Sequence, residues 1–534
     1  MLVPMNRFVW IALVVSGSAC GGNDDKPLGP TDQAGLKATL DALAAFGEKH
    51  AGSPAGRQAA DYVAQRFADL GLQNVHLESF QFPRWDITSK AMTITIDGVA
   101  MTPGFDVFES SGGGLVSDAP VINVETATDA DLAGKDLTGK IALVVRDPSF
   151  HRAAQFRNVT AHGAVAMLYL SIAPENLRQV GSVRFDWEAA GTIPAITIGA
   201  DDGATIKSAV LGGKDVRASI DVQVTSAPGT GNNVIGVIPG EVPDMIVMGA
   251  HYDTWFAGSA DNGGGVAELI AVAERRVQRG KPHYTLVFVA YDGEEIGLYG
   301  GYNYLRAHDV VGHDPIVAVL NFESPSANDP DIAGVVHSAQ PALDAALQEA
   351  HLRQIYAVYA GLEIVAQLFG GIIPTDIQGT YRSGVPTVTT AVTNNYYHTT
   401  SDTPDKVDLQ LLADSSDGFD TAIDTIAEHE PAEYSIADAN LWTADVSAQP
   451  GAMFTVDAEV RDGMGALQPN VTATVSVLYD DFFQGATQSV KTDANGHAIF
   501  QLPADSVTMG SGQRFLHVTA GPIYPLVEKI VALP

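Results

Sequence analysis

The sequence predicts an α/β protein: a mixed, mostly parallel sheet with helices on both faces, joined by a β-rich insert and a C-terminal β-sandwich. Three observations predict it. Strand, helix and strand alternate from residue 233 to about 432, as they do where helices cover both faces of a parallel sheet. Residues 85–228 change to short strands and Gly-rich turns. The last part of the chain, from about residue 433, alternates apolar and polar side chains between turns. With 534 residues, 46% of them hydrophobic, the chain has room for roughly three to five domains, each with its own core.

At the N-terminus, Arg7 precedes an apolar run over residues 8–15, followed by Ser16, Gly17, Ser18, Ala19 and Cys20. The run is too short to span a bilayer and suits a cleavable export signal; a buried N-terminal helix is the alternative. The small residues before Cys20 resemble a bacterial lipoprotein signal, which implies a mature chain lipidated at Cys20. Gly17 departs from that pattern, which has an apolar residue there. Residues 21–33 read as a linker, and no later stretch reaches the ~18 apolar residues of a transmembrane helix.

Ala59, Val63, Phe67 and Leu70 recur at helical spacing before Gly71, a C-cap candidate, and residues 75–82 alternate as a strand. Further on come a strand over residues 139–146, a helical segment around Phe156, Arg157 and Asn158 that leads to Gly163, and a strand that begins Ile193-Pro194. Their order resembles the protease-associated domain, which implies a module beside or inside a peptidase domain, covering its active site; a generic β-rich insert is the alternative. Residues 245–249 and 285–291 read as strands. Val266, Leu269, Ile270 and Ala273 make the apolar face of the helix between them, which Gly280 and Pro282 end. Residues 454–460, 471–478 and 497–502 alternate at period two, which fits an immunoglobulin-like sandwich.

Sixty-three Asp and Glu against thirty Lys and Arg give a formal charge of −33. Such a surface repels phosphate backbones, so nucleic acid is excluded as a partner, whereas cations are attracted. A single cysteine excludes an internal disulfide framework and cysteine-based zinc fingers.

Metal-ligand side chains gather at expected strand ends. His251 and Asp253 follow the strand over 245–249; His251 could bind a metal through one ring nitrogen while Asp253 fixes the other. Asp261 opens a helix before Gly263, Gly264 and Gly265, and reads either as an N-cap or as a metal-bridging carboxylate. Glu294 and Glu295 follow the strand over 285–291: a solvated pair, or one metal ligand and one proton carrier. Glu323 follows a strand over 316–320, and Tyr397, His398 and Asp402 lie in a later polar segment.

This series of motifs, His-x-Asp, Asp-Asn, Glu-Glu-x-Gly, a strand ending in an acid, and Tyr-His with a later Asp-Thr, resembles metallopeptidase family 28, the co-catalytic zinc peptidases. The resemblance implies residues 34–85 and 230–432 as the two parts of a catalytic domain, 86–229 as the protease-associated domain and 433–534 as the sandwich. It implies two zinc ions per catalytic domain: one on His251, Glu323 and Asp261, the other on His398, Glu295 and the shared Asp261. Many members carry Asp where this chain has Glu323. Glu294 is then the general base, Tyr397 an oxyanion donor, and Asp253 and Asp402 supports behind the ligands. Thr375, Asp376 and residues 381–386 resemble the pocket wall. The implied activity is an exported aminopeptidase acting on peptides, with a glutamate-carboxypeptidase-like peptidase, glutaminyl cyclisation or a catalytically dead binding protein as alternatives. No arginine cluster for a substrate carboxylate stands out in the sequence.

Overall fold

The computed structural model describes residues 28–185, 189–328, 330–369, 371–434, 441–508, 512–521 and 527–533. The expected export signal, Cys20 and the start of the linker lie outside them. No helix among the described residues is long and apolar enough to cross a membrane.

Helix Gln33–Ala44 opens the fold, capped by the Asp32 carboxylate, which accepts from the N–H groups of Ala34 and Gly35. The sequence reading did not single this helix out. The next, Pro54–Leu70, begins with Ser53 as N-cap and ends at Gly71 in the left-handed region, with φ 87°. Its expected apolar face holds: Ala59, Val63 and Phe67 are fully buried.

The strand expected over 75–82 is much longer. Gln73–Ile96 pairs antiparallel with Val216–Ile238 from one end to the other, making a two-stranded ribbon. The expected limits at 85/86 and 229/230 fall inside this ribbon. The change of texture at residue 85 marks a change of core, because Phe80 and Phe82 pack toward one end while Trp85, Met92 and Ile94 pack into the insert. The backbone ladder does not stop where the core changes. Within the insert, parallel strands Gly114–Asn123, Ile141–Val145, Ala166–Leu170 and Ala195–Ile198 are joined by antiparallel Phe105–Val107. Helices Arg152–Ala161 and Ala200–Leu211 pack alongside, so the insert is α/β rather than only β-rich.

The main sheet carries Thr387–Thr393, Ile316–Asn321, Val242–His251 and Tyr284–Tyr291 side by side, all parallel. Antiparallel neighbours flank this group on both sides, so the parallel run occupies only the middle. Side chains alternate across it. Ile246, Met248, Leu286, Phe288, Ala318 and Leu320 face helices Gln33–Ala44, Gly264–Arg279 and Leu409–Ala427. Val247, Val287, Val289 and Val319 face the opposite side, against Tyr304, Leu362 and Tyr381. Both faces are buried, so these strands read as continuous apolar runs.

Among the described residues the C-terminal part is a sandwich of seven strands. Thr443–Gln449, Met453–Arg461 and His497–Pro503 form one sheet; Gln484–Lys491, Thr472–Tyr479, Arg514–Ala520 and Val527–Ala532 form the other. Val456, Phe500, Val475 and Val518 from the two sheets share one core. A short helix, Ala504–Thr508, was not expected from the sequence.

Glu268 is fully buried in helix Gly264–Arg279, with Oε1 accepting from the Ser415 hydroxyl at 2.7 Å and Oε2 without a hydrogen bond. Burial pushes its pKa up from 4.5 to about 8, with Ser415 partly opposing. Below pH 4.5 both the folded and unfolded states hold the proton. Between about 4.5 and about 8 the folded state keeps a proton that the unfolded state has released, so stability falls across that window and levels off above it. Glu268→Gln is expected to flatten this slope and raise Tm at pH 9 by about 2–4 °C per kcal/mol recovered. Melting curves at pH 5 and 9 check it; an unchanged Tm difference between the two pH values would count against it.

Candidate active site

The four parallel strands deliver their C-terminal ends to one edge, and the sequence-predicted residues meet there. His251 is the last residue of its strand, Glu294 and Glu295 lie in the turn after Tyr291, and Glu323 stands two residues beyond Asn321. His398 follows Thr393 across a short loop, and Asp261 precedes helix Gly264–Arg279. In open α/β sheets this edge is where ligands bind.

His251 Nε2 lies 3.3 Å from Asp261 Oδ1 and 3.4 Å from Glu323 Oε1. His398 Nε2 lies 3.1 Å from Asp261 Oδ2 and 2.9 Å from Glu295 Oε2. The arrangement is therefore two groups that share Asp261, each with its own His and Glu. Zinc–ligand bonds of about 2.0–2.2 Å in a tetrahedron put neighbouring ligand atoms about 3.3 Å apart, and the observed spacings match. His398 Nε2, Asp261 Oδ1 and Glu295 Oε1 are buried without a hydrogen-bond partner. The donor set thus fits zinc in both groups, through His251, Glu323 and Asp261 and through His398, Glu295 and Asp261.

Electrostatics point the same way. Burial lowers the pKa of His251, but Glu323 and Glu294 outweigh it and hold the imidazole well above its ordinary value. Burial raises the Glu294 carboxyl well above the carboxylate range, with His251 opposing and Glu323 and Glu295 adding to it. Burial likewise raises Glu295, against His398. Carboxylates are crowded here beyond what two imidazoles neutralise, and a bound cation relieves that crowding.

Supporting contacts set the ligands. His251 Nδ1 meets the Asp253 backbone carbonyl at 2.9 Å, while the nearest Asp253 carboxylate oxygen is 3.6 Å away. This corrects the expected role of the Asp253 side chain. Its two oxygens instead accept from the backbone N–H groups of Glu294 and Glu295, at 3.1 and 3.2 Å, and orient the Glu pair. Asp402 accepts from the N–H groups of Ala260 and Asp261, at 2.8 and 3.1 Å, so it steadies the shared ligand. Asp261 is no N-cap: the helix begins behind Gly263 without a side-chain cap. Of the three glycines, Gly265 is the one the packing demands, because a Cβ there would lie 2.1 Å from the Phe322 carbonyl oxygen. That contact draws the Asp261 loop against the strand end that carries Glu323. Asn262 strengthens it by donating to Phe322 O and accepting from Ser324 N.

Tyr397 stacks its ring on His398, with centroids 3.7 Å apart and planes 18° from parallel. Burial raises its phenol pKa, with Arg152 opposing and Asp261, Glu295 and Glu294 adding to it, so it remains a hydrogen-bond donor.

Thr375 and Asp376, which the sequence places only at the pocket wall, receive their contacts here, and the insert adds residues that sequence reasoning missed. The Thr375 hydroxyl donates to Glu323 Oε2 at 3.0 Å, and Asp376, buried beside it, has neither carboxylate oxygen hydrogen-bonded. The insert closes over His398: Val180 O lies 3.2 Å from His398 Nδ1, Val180 N donates to His398 O, and Gln179 donates to Tyr397 O. A backbone carbonyl leaves no signal in a sequence. Arg146, over the Tyr397 ring at 5.8 Å, and Arg152, which donates to Ser182 O, come from the insert and make no ion pair among the described residues. Their only signal was basic character in an acidic chain.

Residues 233–422 match the family described as Peptidase family M28, and residues 112–206 match the PA domain. The "Probable leucine aminopeptidase 2" of Aspergillus fumigatus is 26% identical over 278 residues, covering 51% of this chain and 53% of that protein. The "Probable glutamate carboxypeptidase VP8" of Zea mays is 25% identical over 364 residues, covering 55% and 50%. The chain thus spans about half the length of these curated relatives. The fold is shared with a zinc aminopeptidase from Bacillus subtilis, at TM-score 0.57 and 20% identity or below, over 74% of this chain and 95% of that one. The match to peptidase family M28 thus covers the part of the chain that carries these motifs at one sheet edge, and the match to the PA domain covers the insert that closes over them.

Proposed function

We propose that the chain is an exported, zinc-dependent aminopeptidase that removes N-terminal residues from peptides, with two zinc ions per peptidase domain. The observation that carries this reading is the pair of His–Glu groups joined through Asp261, beside a Glu294 that neither group uses. Zinc, when bound, supplies Lewis acidity that polarises a carbonyl and lowers the pKa of a water toward ~7. Glu294, its backbone held by Asp253 and its Oε2 4.0 Å from His251 Nε2, accepts the proton of the attacking water and passes it to the leaving amine. Its raised pKa lets it hold the proton between those two events. Tyr397 donates its hydroxyl hydrogen to the developing oxyanion, and stacking on His398 keeps its ring in place. The relative in Aspergillus fumigatus, by its name an aminopeptidase, supports the choice of substrate end.

Glu294→Gln is expected to keep both metals and lose turnover by about 10²–10⁴, while Asp261→Ala loses both metals. Elemental analysis beside steady-state rates checks the pair; wild-type turnover in Glu294→Gln would refute the base assignment.

A second reading, carboxypeptidase action, is favoured by Arg146 and Arg152, two guanidinium groups without carboxylate partners among the described residues beside Tyr397. They suit a free substrate carboxylate. Aminoacyl anilides and C-terminally free dipeptides, compared with and without a chelator, separate the two readings. An aminopeptidase cleaves the anilides and tolerates Arg152→Met. A carboxypeptidase prefers the dipeptides, with KM raised at least about tenfold in that variant, as loss of a charged hydrogen bond implies. Cleavage that survives the chelator removes the metal mechanism.

The basic, apolar and small-residue pattern over residues 7–20 supports export with a lipid anchor on Cys20. Cell fractionation is expected to find the chain with membranes and the Cys20→Ser variant released from them; identical partitioning of the two speaks against the anchor.

A further inference from the structure

We propose that the C-terminal sandwich is a working part of the metal centre, with Glu528 as a positioning residue that ties together the two segments behind Glu323 and behind the Glu294–Glu295 turn. This rests on the metal-centre reading above and extends it to a side chain from another domain.

Glu528 lies in strand Val527–Ala532 of the sandwich and is only 3% exposed. Its carboxylate reaches out of the sandwich. Arg382 Nη1 donates to Oε2 at 3.0 Å, and the Tyr302 hydroxyl lies 3.1 and 2.9 Å from the two oxygens. His517, on the neighbouring sandwich strand, holds Oε1 at 2.7 Å. Burial alone would raise this carboxyl, but Arg382 and His517 outweigh it and bring its pKa down to about 2, so the charge is kept. A buried ion pair is weak evidence for stability; its better-attested use is to fix one arrangement of the elements around it.

Those elements lead to the metal centre. Tyr302 belongs to helix Tyr299–Tyr304, which directly follows the Glu294–Glu295 turn. Arg382 ends helix Gln378–Arg382, and Gln378 Nε2 donates to the Tyr302 hydroxyl at 3.0 Å. Just before that helix stand Asp376 and Thr375, whose hydroxyl holds Glu323. The two segments touch without slack, since a Cβ on Gly301 would lie 2.3 Å from the Asp376 carbonyl oxygen. The rest of the junction is built to the same tolerance. Arg306 donates to the carbonyls of Tyr479 and Asp480 and lies 3.8 Å from the centre of the Phe482 ring, and Phe482 packs on Tyr299 at 5.0 Å. Apolar side chains from the sandwich, the main sheet and the insert share one core here. A shift of Glu528 therefore moves Tyr302 and Arg382 together, and through them the supports of ligands in both groups.

The test uses the full chain as wild type, Glu528→Gln, Tyr302→Phe and Val456→Ala, the last altering only the core of the sandwich. Zinc retention is titrated against a chelator without substrate, and kcat and KM are measured separately. Glu528→Gln is expected to loosen zinc by about tenfold, the lower end of what removing an outer support does, and to lower kcat with KM little changed. Tyr302→Phe keeps the ring and is expected to act in the same direction with a smaller size; it decides the matter if Glu528→Gln does not fold. Val456→Ala is expected to lower Tm and leave zinc retention and kcat alone. Wild-type zinc retention and kcat in the folded Glu528 and Tyr302 variants overturn the proposal, as does an equal loss in Val456→Ala. A wild type that binds no zinc overturns the metal-centre reading itself, and is seen before any variant is compared.

Discussion

One carboxylate shared by two histidine groups is the constraint around which the rest is arranged. Asp261 faces His251 with one oxygen and His398 with the other, and its position decides how far apart those groups stand. Placing Glu295, Glu323 and Glu294 around it in a buried site is costly, because like charges repel one another more strongly when water is excluded. Directed hydrogen bonds hold these groups: Asp253 accepts from the backbone N–H of Glu294, Asp402 accepts from that of Asp261, and the Thr375 hydroxyl donates to Glu323. The candidate ligands are thus held in direction by contacts from other segments, and a fixed direction is what lets a site discriminate by geometry rather than by raw affinity.

The sheet makes this arrangement accessible to a chain whose ligands are far apart in sequence. Four adjacent parallel strands end at one edge, so residues separated by long connections arrive within a few ångströms of each other. Helices on both faces bury the apolar strands, and the candidate ligands gather at that edge. The long ribbon formed by Gln73–Ile96 and Val216–Ile238 then carries the insert out of the main sheet and returns it, and Gln179 and Val180 of the insert rest on the His398 loop. His398 is thus held by a backbone carbonyl from another domain, and Arg184 reaches the Ile296 carbonyl beside the Glu pair.

Much of the fold was legible in the sequence because it rests on local periodicity. The helix with Ala59, Val63 and Phe67 on its face, the strand–helix–strand run after residue 233 and the period-two segments of the sandwich each follow from which neighbours must be buried. Helix Gln33–Ala44 went unnoticed although Asp32 caps it and Leu36, Leu40 and Leu43 stand at helical spacing on its buried face. The extent of the ribbon escaped it because strand pairing runs on while the side chains change cores, so composition shifts where the backbone does not.

For the site, the sequence by itself determined where metal-binding side chains are concentrated: His251, Asp261, Glu294, Glu295 and Glu323 at expected strand ends or a helix start, and His398 in a later polar segment, with their separate roles implied only by the resemblance to family 28. Only the tertiary structure decided what supports them. The carboxylate of Asp253 serves the Glu pair instead of the imidazole, Gly265 is required by the Phe322 carbonyl, and Val180 and Thr375 come to the site from separate segments. The reason is physical: a ligand is marked by its own side chain, whereas a support is defined by a distance to another part of the chain, and that distance exists only after the domains have packed.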